Sequence, residues 1–147
     1  MAERLTVRAR AAPADGRAVA TLTLPYERRS RSRQRTALDD GREAALVLAR
    51  GTVLRGGDRL RSECGAVIEV VAGPEPVSVA RSSDPVALAR AAYHLGNRHV
   101  ALQVLAGELR YRHDHVLDEM VTGLGLEVGY GELPFEPETG AYGGHHH

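Results

Sequence analysis

Two aspartates, Asp84 and Asp114, constrain this chain more than any other residues, because each heads an apolar pattern that repeats every three to four positions. An aspartate just before a helix can accept hydrogen bonds from the unpaired amides of the first turn. Pro85 follows Asp84, and its fixed φ and missing N–H suit the first helical position. The spacing predicts a helix over "SSDPVALARAAYHLG", with Val86, Leu88, Ala89, Ala92 and Leu95 on its apolar face and Gly96 at its C-terminal stop. A second helix over "DHVLDEMVTGLG" takes Asp114 as cap, buries Val116, Leu117, Met120, Val121 and Leu124, and stops at Gly125. "PVSVA" precedes the first helix as a strand, "HVALQVL" and "ELRYRH" are two strands around an "AGE" turn, and "LEVGYGEL" is the last strand. The order β-α-β-β-α-β is the ferredoxin-like arrangement. It is expected over residues 75–134, with both helices on one face of an antiparallel sheet and the other face free for function or a partner.

Residues 1–74 have a different rhythm. "RLTVRAR" and "AVATLTL" alternate, "AALVLARG" and "AVIEVV" are short aliphatic runs, and "ADG", "DDG", "RGGD" and "ECG" fall between them as turns. Only "LDDGREAALVLAR" is ambiguous between helix and strand. A small all-β domain is expected, so the class is α+β with two domains. Charge supports the division: residues 1–74 hold 14 arginines against nine acidic residues, and residues 75–147 hold five against ten. The sign changes at "AGPEP", where two prolines and a glycine mark a linker or sharp turn. "PFEPETGAYGGHHH", Pro134 followed by residues 135–147, lacks periodicity, and residues 135–147 are expected to be a mobile tail.

Several function classes drop out. All 19 basic residues are arginine, so Schiff-base chemistry and a lysine-bearing P-loop are excluded. No G-x-S-x-G elbow exists. No apolar run approaches the ~20 residues of a membrane span, and "MAERLTVRARA" has no signal-peptide core. One cysteine, Cys64, permits no internal disulfide, which points to the cytoplasm.

All seven histidines lie from His94 onward, and none is in the first ninety residues. His99 is expected to begin a strand directly after a helix end, where an imidazole can be exposed. A single imidazole holds a transition metal weakly, but a two-fold dimer with His99 near its axis would bring two together. Such a site would be open and exchangeable, as a carrier requires. In "HDH", His113 ends a strand and His115 starts a helix; on extended backbone both rings share a face and could grip one ion, while Asp114 caps the helix. The terminal His145, His146 and His147 read equally as a native metal-gathering tail or as a purification tag.

Two rival readings use other residues. A metal-dependent hydrolase could use His113, Asp114 and His115, given a buried pocket and an open metal position. The run "ERRSRSRQR" places Arg29, Arg31, Arg33 and Arg35 at period two, one arginine face if extended. Nucleic acid could use that face for phosphate contacts, but the run lacks aromatic residues, so a solvated face or a dock for an acidic protein fits it better.

"AYHLGNRHV", "LRYRHDHVLDEMV", the following "LGL" and "PFEPETGAY", with "RSRQRTALDDGREAALVLARGTVLRGGDRL" before them, together resemble the UreE family of urease accessory proteins, which are nickel metallochaperones. The resemblance covers nearly the whole chain, and the ordered combination is far more specific than any one piece. It implies a partner- or peptide-binding β domain and a ferredoxin-like domain that binds metal and dimerises, in a protein that is not an enzyme. It implies His99 as the principal Ni²⁺ ligand, paired with its symmetry mate, with His113 and His115 as auxiliary ligands and His145, His146 and His147 contributing more. Zn²⁺ or Cu²⁺ could substitute, since imidazole accepts all three. The implied partners are a second copy, the urease apoprotein complex and its accessory GTPase; no role follows for His94, nor for membrane or nucleic acid.

Overall fold

The computed structural model describes residues 4–139, which form two compact units divided between Gly73 and Pro74. The first contains β1 (Arg4–Arg10), β2 (Ala20–Leu24), the short helix α1 (Tyr26–Arg29), β3 (Arg33–Ala37), β4 (Glu43–Val47), β5 (Arg59–Ser62) and β6 (Val67–Ala72). Its strands make one six-stranded sheet in the order β2-β6-β5-β1-β4-β3. β1 with β4 and β2 with β6 run parallel; the remaining neighbours are antiparallel. Alternation selects the inner face: Leu5, Val7, Leu22, Leu24, Ala44, Leu46 and Leu60 point into a core completed by Ile68 and Val70. "LDDGREAALVLAR" resolves as turn and strand, not helix.

Asp39 holds the two edges of this sheet together. Its amide donates to the Thr21 carbonyl at 2.9 Å. Its carboxylate accepts from the Thr21 and Thr23 hydroxyls, both at 2.6 Å, and from the Thr23 amide at 3.2 Å. The chain just beyond β3 is thereby tied to β2, at the opposite end of the sheet order, giving a barrel-like closure that leaves fewer unpaired edge groups.

The expected arginine face is not formed. Pro25 starts a helical turn, so Arg29 lies in α1 and is fully buried. Its Nε donates to the Leu24 carbonyl and its Nη1 to the Leu54 carbonyl, both at 3.1 Å, beneath the Tyr26 ring. Arg31 pairs with Glu27 at 2.6 Å. Only Arg33 and Arg35 remain together on a strand, so the phosphate-tracking surface of the nucleic-acid reading loses half its members.

The second unit contains β7 (Pro74–Arg81), α2 (Pro85–Asn97), β8 (Gln103–Leu105), β9 (Glu108–Arg112), α3 (His115–Gly123) and β10 (Glu127–Pro134). The sheet order β10-β7-β9-β8, antiparallel throughout, is the ferredoxin-like topology expected from the sequence. Both caps form: Asp84 Oδ1 accepts from the Val86 amide at 2.9 Å, and Asp114 Oδ1 from the Val116 and Leu117 amides at 2.9 and 3.3 Å. Ala80, Ala91, Leu95, Leu109, Tyr111, Val121 and Leu126 make the core.

Four expectations need correction here. Val86, Ala89 and Val116 are exposed, because the helices turn Ala87, Leu88, Ala91, Ala92 and Leu95, and Leu117, Met120, Val121 and Leu124, onto the sheet. The second face of the sheet is not free along β7, where Val77 and Val79 are buried as well as Ser78 and Ala80. "HVALQVL" is strand only from Gln103. Residues 135–138 are held: Phe135 is buried, the Glu136 amide donates to Gln103 Oε1 at 3.0 Å, and the Glu138 amide to the Leu102 carbonyl at 2.7 Å. Residues 140–147 of the tail lie outside the described residues.

Hydrogen bonds from Thr21 and then Thr23 hold the Asp39 carboxyl below its ordinary value. Its contribution to stability is therefore complete above the usual carboxylate range near pH ~4 and lost as pH falls through the lower folded-state value. Asp39→Ala should lower stability at neutral pH by about 1 kcal/mol in urea unfolding. The difference from the parent should shrink in acid; a difference independent of pH would contradict the role given to the carboxylate.

Candidate metal centre

His99 does not begin a strand. It is the only non-glycine residue with positive φ among the described residues, at 58°. α2 runs through the expected stop at Gly96 to Asn97, and Arg98 is its C-cap. The His99 amide donates to the Gly96 carbonyl at 3.0 Å and the Val100 amide to the Leu95 carbonyl at 3.2 Å. Those two bonds define a Schellman motif, with His99 in the left-handed position that glycine usually takes. α3 ends in the same way, Gly125 donating to Thr122 at 3.0 Å and Leu126 to Val121 at 3.4 Å, but there the left-handed residue is glycine, at φ 98°. A side chain in this region costs roughly 1–2 kcal/mol, so α2 keeps an exposed imidazole where a glycine would be less strained. Strain retained at an exposed ring is grounds for assigning that ring a function.

His113 lies in the turn between β9 and α3 and is anchored on one side. Its Nδ1 is 3.2 Å from Ser78 Oγ and 3.4 Å from Asp118 Oδ2, and its ring meets Tyr130 edge-on with centroids 4.9 Å apart. Tyr111 donates to Asp118 Oδ1 at 2.7 Å. Burial, and then this bond to Asp118, push the Tyr111 phenol well above its ordinary value, so it keeps its proton at neutral pH. His115 is the first residue of α3 and is exposed. His94 is exposed and contacts the neighbouring Tyr93 ring edge-on. Val100 and Ala101, which follow His99, line one surface groove with Pro76, Arg112, His113, Asp114 and Leu117.

Among the described residues, no three His, Cys, Asp or Glu side chains converge to hold a metal ion. Asp114 Oδ1 is used as a helix cap, and Asp114 does not converge with His113 and His115, so the three residues of the hydrolase reading form no metal site. His145, His146 and His147 lie outside the described residues. Sequence reading passed over Ser78, Tyr111 and Asp118. The available signal was a serine in the middle of the apolar strand "PVSVA": a hydroxyl buried there must be hydrogen-bonded. No helix among the described residues is long and apolar enough to cross a membrane.

The comparisons with known proteins agree over both units. The N-terminal domain of UreE urease accessory proteins matches residues 1–73, and the C-terminal domain of the same family matches residues 75–147. The chain is 60% identical over 133 residues to the urease accessory protein UreE of Citrobacter koseri, covering 87% of this chain and 88% of that one. It is 60% identical over 134 residues to that of Alkalilimnicola ehrlichii, covering 91% and 80%. Against the Escherichia coli O157:H7 protein of the same name, identity is 54% over 129 residues, covering 87% and 84%.

The two helix ends offer a direct comparison. His99→Gly should raise stability, by up to about 1 kcal/mol, because the left-handed backbone no longer carries a side chain. Gly125→Ala should lower it by about 1 kcal/mol; an added Cβ meets nothing within 4 Å, so the cost lies in the backbone alone. Thermal unfolding of the two variants with opposite signs is the expected result.

Proposed function

The chain belongs to the UreE family of urease accessory proteins, and from that premise we propose that it is a homodimeric carrier of Ni²⁺ for assembly of the urease active site. Membership makes it an accessory protein of urease maturation and not a catalyst. The observation that carries the proposal is the exposed His99 imidazole, kept at a left-handed helix terminus despite its backbone cost.

Neutral imidazoles of His99 from two copies would hold the ion between them. His113, His115 and the terminal His145, His146 and His147 would supply further donors. One chain's described residues bring together no third ligand, so a second copy or the tail is needed to complete the shell. Few ligands on exposed elements make a site that fills and empties readily, and Zn²⁺ or Cu²⁺ could occupy it too. The first unit would dock the urease apoprotein complex and the accessory GTPase that receive or exchange the ion. The cytoplasm is the compartment proposed, where a lone exposed thiol such as Cys64 stays reduced.

Two measurements test the carrier. His99→Ala should abolish the interfacial site in a calorimetric Ni²⁺ titration while sedimentation still reports a folded dimer; unchanged stoichiometry and affinity would refute the assignment. Metal binding to imidazole competes with protons, and histidine changes charge between about pH 5 and pH 8. Ni²⁺ should therefore be released on acidification to about pH 5, and full retention there would rule out an all-histidine site.

A further inference from the structure

The neighbours of His113 form a polar circuit that decides which ring nitrogen carries the proton. Asp118, as a carboxylate, can only accept. Tyr111 spends its single proton on Asp118 Oδ1. The Ser78 hydroxyl, 3.2 Å from His113 Nδ1, can either donate or accept there. Asp118 Oδ2, 3.4 Å from the same nitrogen, has only lone pairs to offer it. A proton on Nδ1 meets that negative oxygen favourably and a lone pair there would be repelled by it, so the ring proton is favoured on Nδ1 and Nε2 keeps the lone pair.

Burial makes the circuit rigid on one side only. Ser78 and Tyr111 are fully buried, whereas the His113 side chain is 43% exposed. The Tyr130 ring braces the imidazole edge-on. No hydrogen bond to Nε2 is found among the described residues, and Nε2 lies on the side of the ring away from Nδ1. A histidine with one ring nitrogen facing a hydroxyl and a carboxylate, and the other left without a hydrogen bond, has the arrangement of a metal ligand with its supporting shell.

From this geometry we infer that Asp118 is a positioning residue: held in place by Tyr111, it fixes the His113 tautomer, so that Nε2 is the atom offered to a divalent transition ion. The inference rests on the proposal that His113 is an auxiliary Ni²⁺ ligand, and it adds which atom binds and which carboxylate aims it. It also separates the two histidines of "HDH". His113 is preorganised, whereas His115, with no hydrogen bond or ring contact among the described residues, is free to follow.

The test uses the full chain and begins without metal. Imidazole ¹⁵N spectra, with the His113 signals identified by their loss in His113→Gln, should report Nδ1 protonated and Nε2 bare. Asp118→Asn, nearly identical in shape, should convert this pattern to a mixture of tautomers. Tyr111→Phe, which frees Asp118 to rotate, should shift the pattern in the same direction by less, and it serves if the first variant folds poorly. Ni²⁺ alone is then titrated in the His99→Ala background. Broadening of the His113 ring signals should require about 10–100-fold more metal in Asp118→Asn than in its parent. A His113 pattern that is already Nε2-protonated, or that ignores Asp118→Asn, would overturn the role of Asp118 and leave His113 standing as a ligand. A pattern that responds to Asp118→Asn, in a protein whose His113 signals never respond to Ni²⁺, would overturn the inference through its premise.

Discussion

A thirteen-residue helix has to end before the ferredoxin-like sheet can receive its second strand, and the way it ends determines what the surface offers. The last carbonyls of α2 need partners, and the Schellman turn supplies them through the amides of His99 and Val100. Val100 is thereby drawn back against the core containing Leu95, the hydrophobic contact that usually accompanies such a turn. With the chain reversed and held from within, the side chain of the left-handed residue is left on the outside. A flexible loop would give an imidazole equal exposure but no fixed direction. The Schellman turn gives it both, which a shared site between two copies requires.

The helix ends also show where sequence reading succeeds and where it cannot. Both N-termini were legible, because an N-cap acts through its own side chain over two or three residues, and Asp84 and Asp114 carry that chemistry locally. The stop of α2 was misplaced onto Gly96 because glycine is the usual left-handed residue, and nothing in "LGNRH" shows that the backbone puts His99 there instead. The helix faces were drawn too wide. At about 100° per residue, Val86 lies about 180° and Ala89 about 120° from Leu95, and Val116 about 140° from Val121. Residues 135–138 looked mobile because the tail they open lacks periodicity. What holds Phe135, Glu136 and Glu138 comes in part from Leu102 and Gln103, more than thirty positions earlier. The arginine run failed for a similar reason: period two implies a face only if the backbone is extended, and Pro25 commits Arg29 to a helical turn first.

His99 and His113 illustrate two ways of presenting an imidazole. His99 is directed by backbone conformation, and among the described residues no hydrogen bond engages its ring. His113 is directed by side chains from three separate elements, Ser78 on β7, Tyr111 on β9 and Asp118 on α3, which no local window of sequence could join. The difference matters for affinity. A ring whose second nitrogen is already held against a hydroxyl and a carboxylate loses less freedom on binding. An unsupported ring binds more weakly and lets go more easily.

For a carrier, that asymmetry is useful and its reversal would not be. A transition ion held by four preorganised imidazoles would dissociate slowly, because differences in affinity between related sites arise mostly in the rate of release. Supporting shells on every histidine would therefore turn a delivery site into a storage site. Preorganisation confined to His113 would give an incoming ion one well-aimed donor to meet. The His99 pair, directed by backbone alone, would then hold the ion loosely enough to pass it on. The strain at His99 favours this division, since a position that already costs stability can be kept for exposure without the additional buried groups that would tighten it.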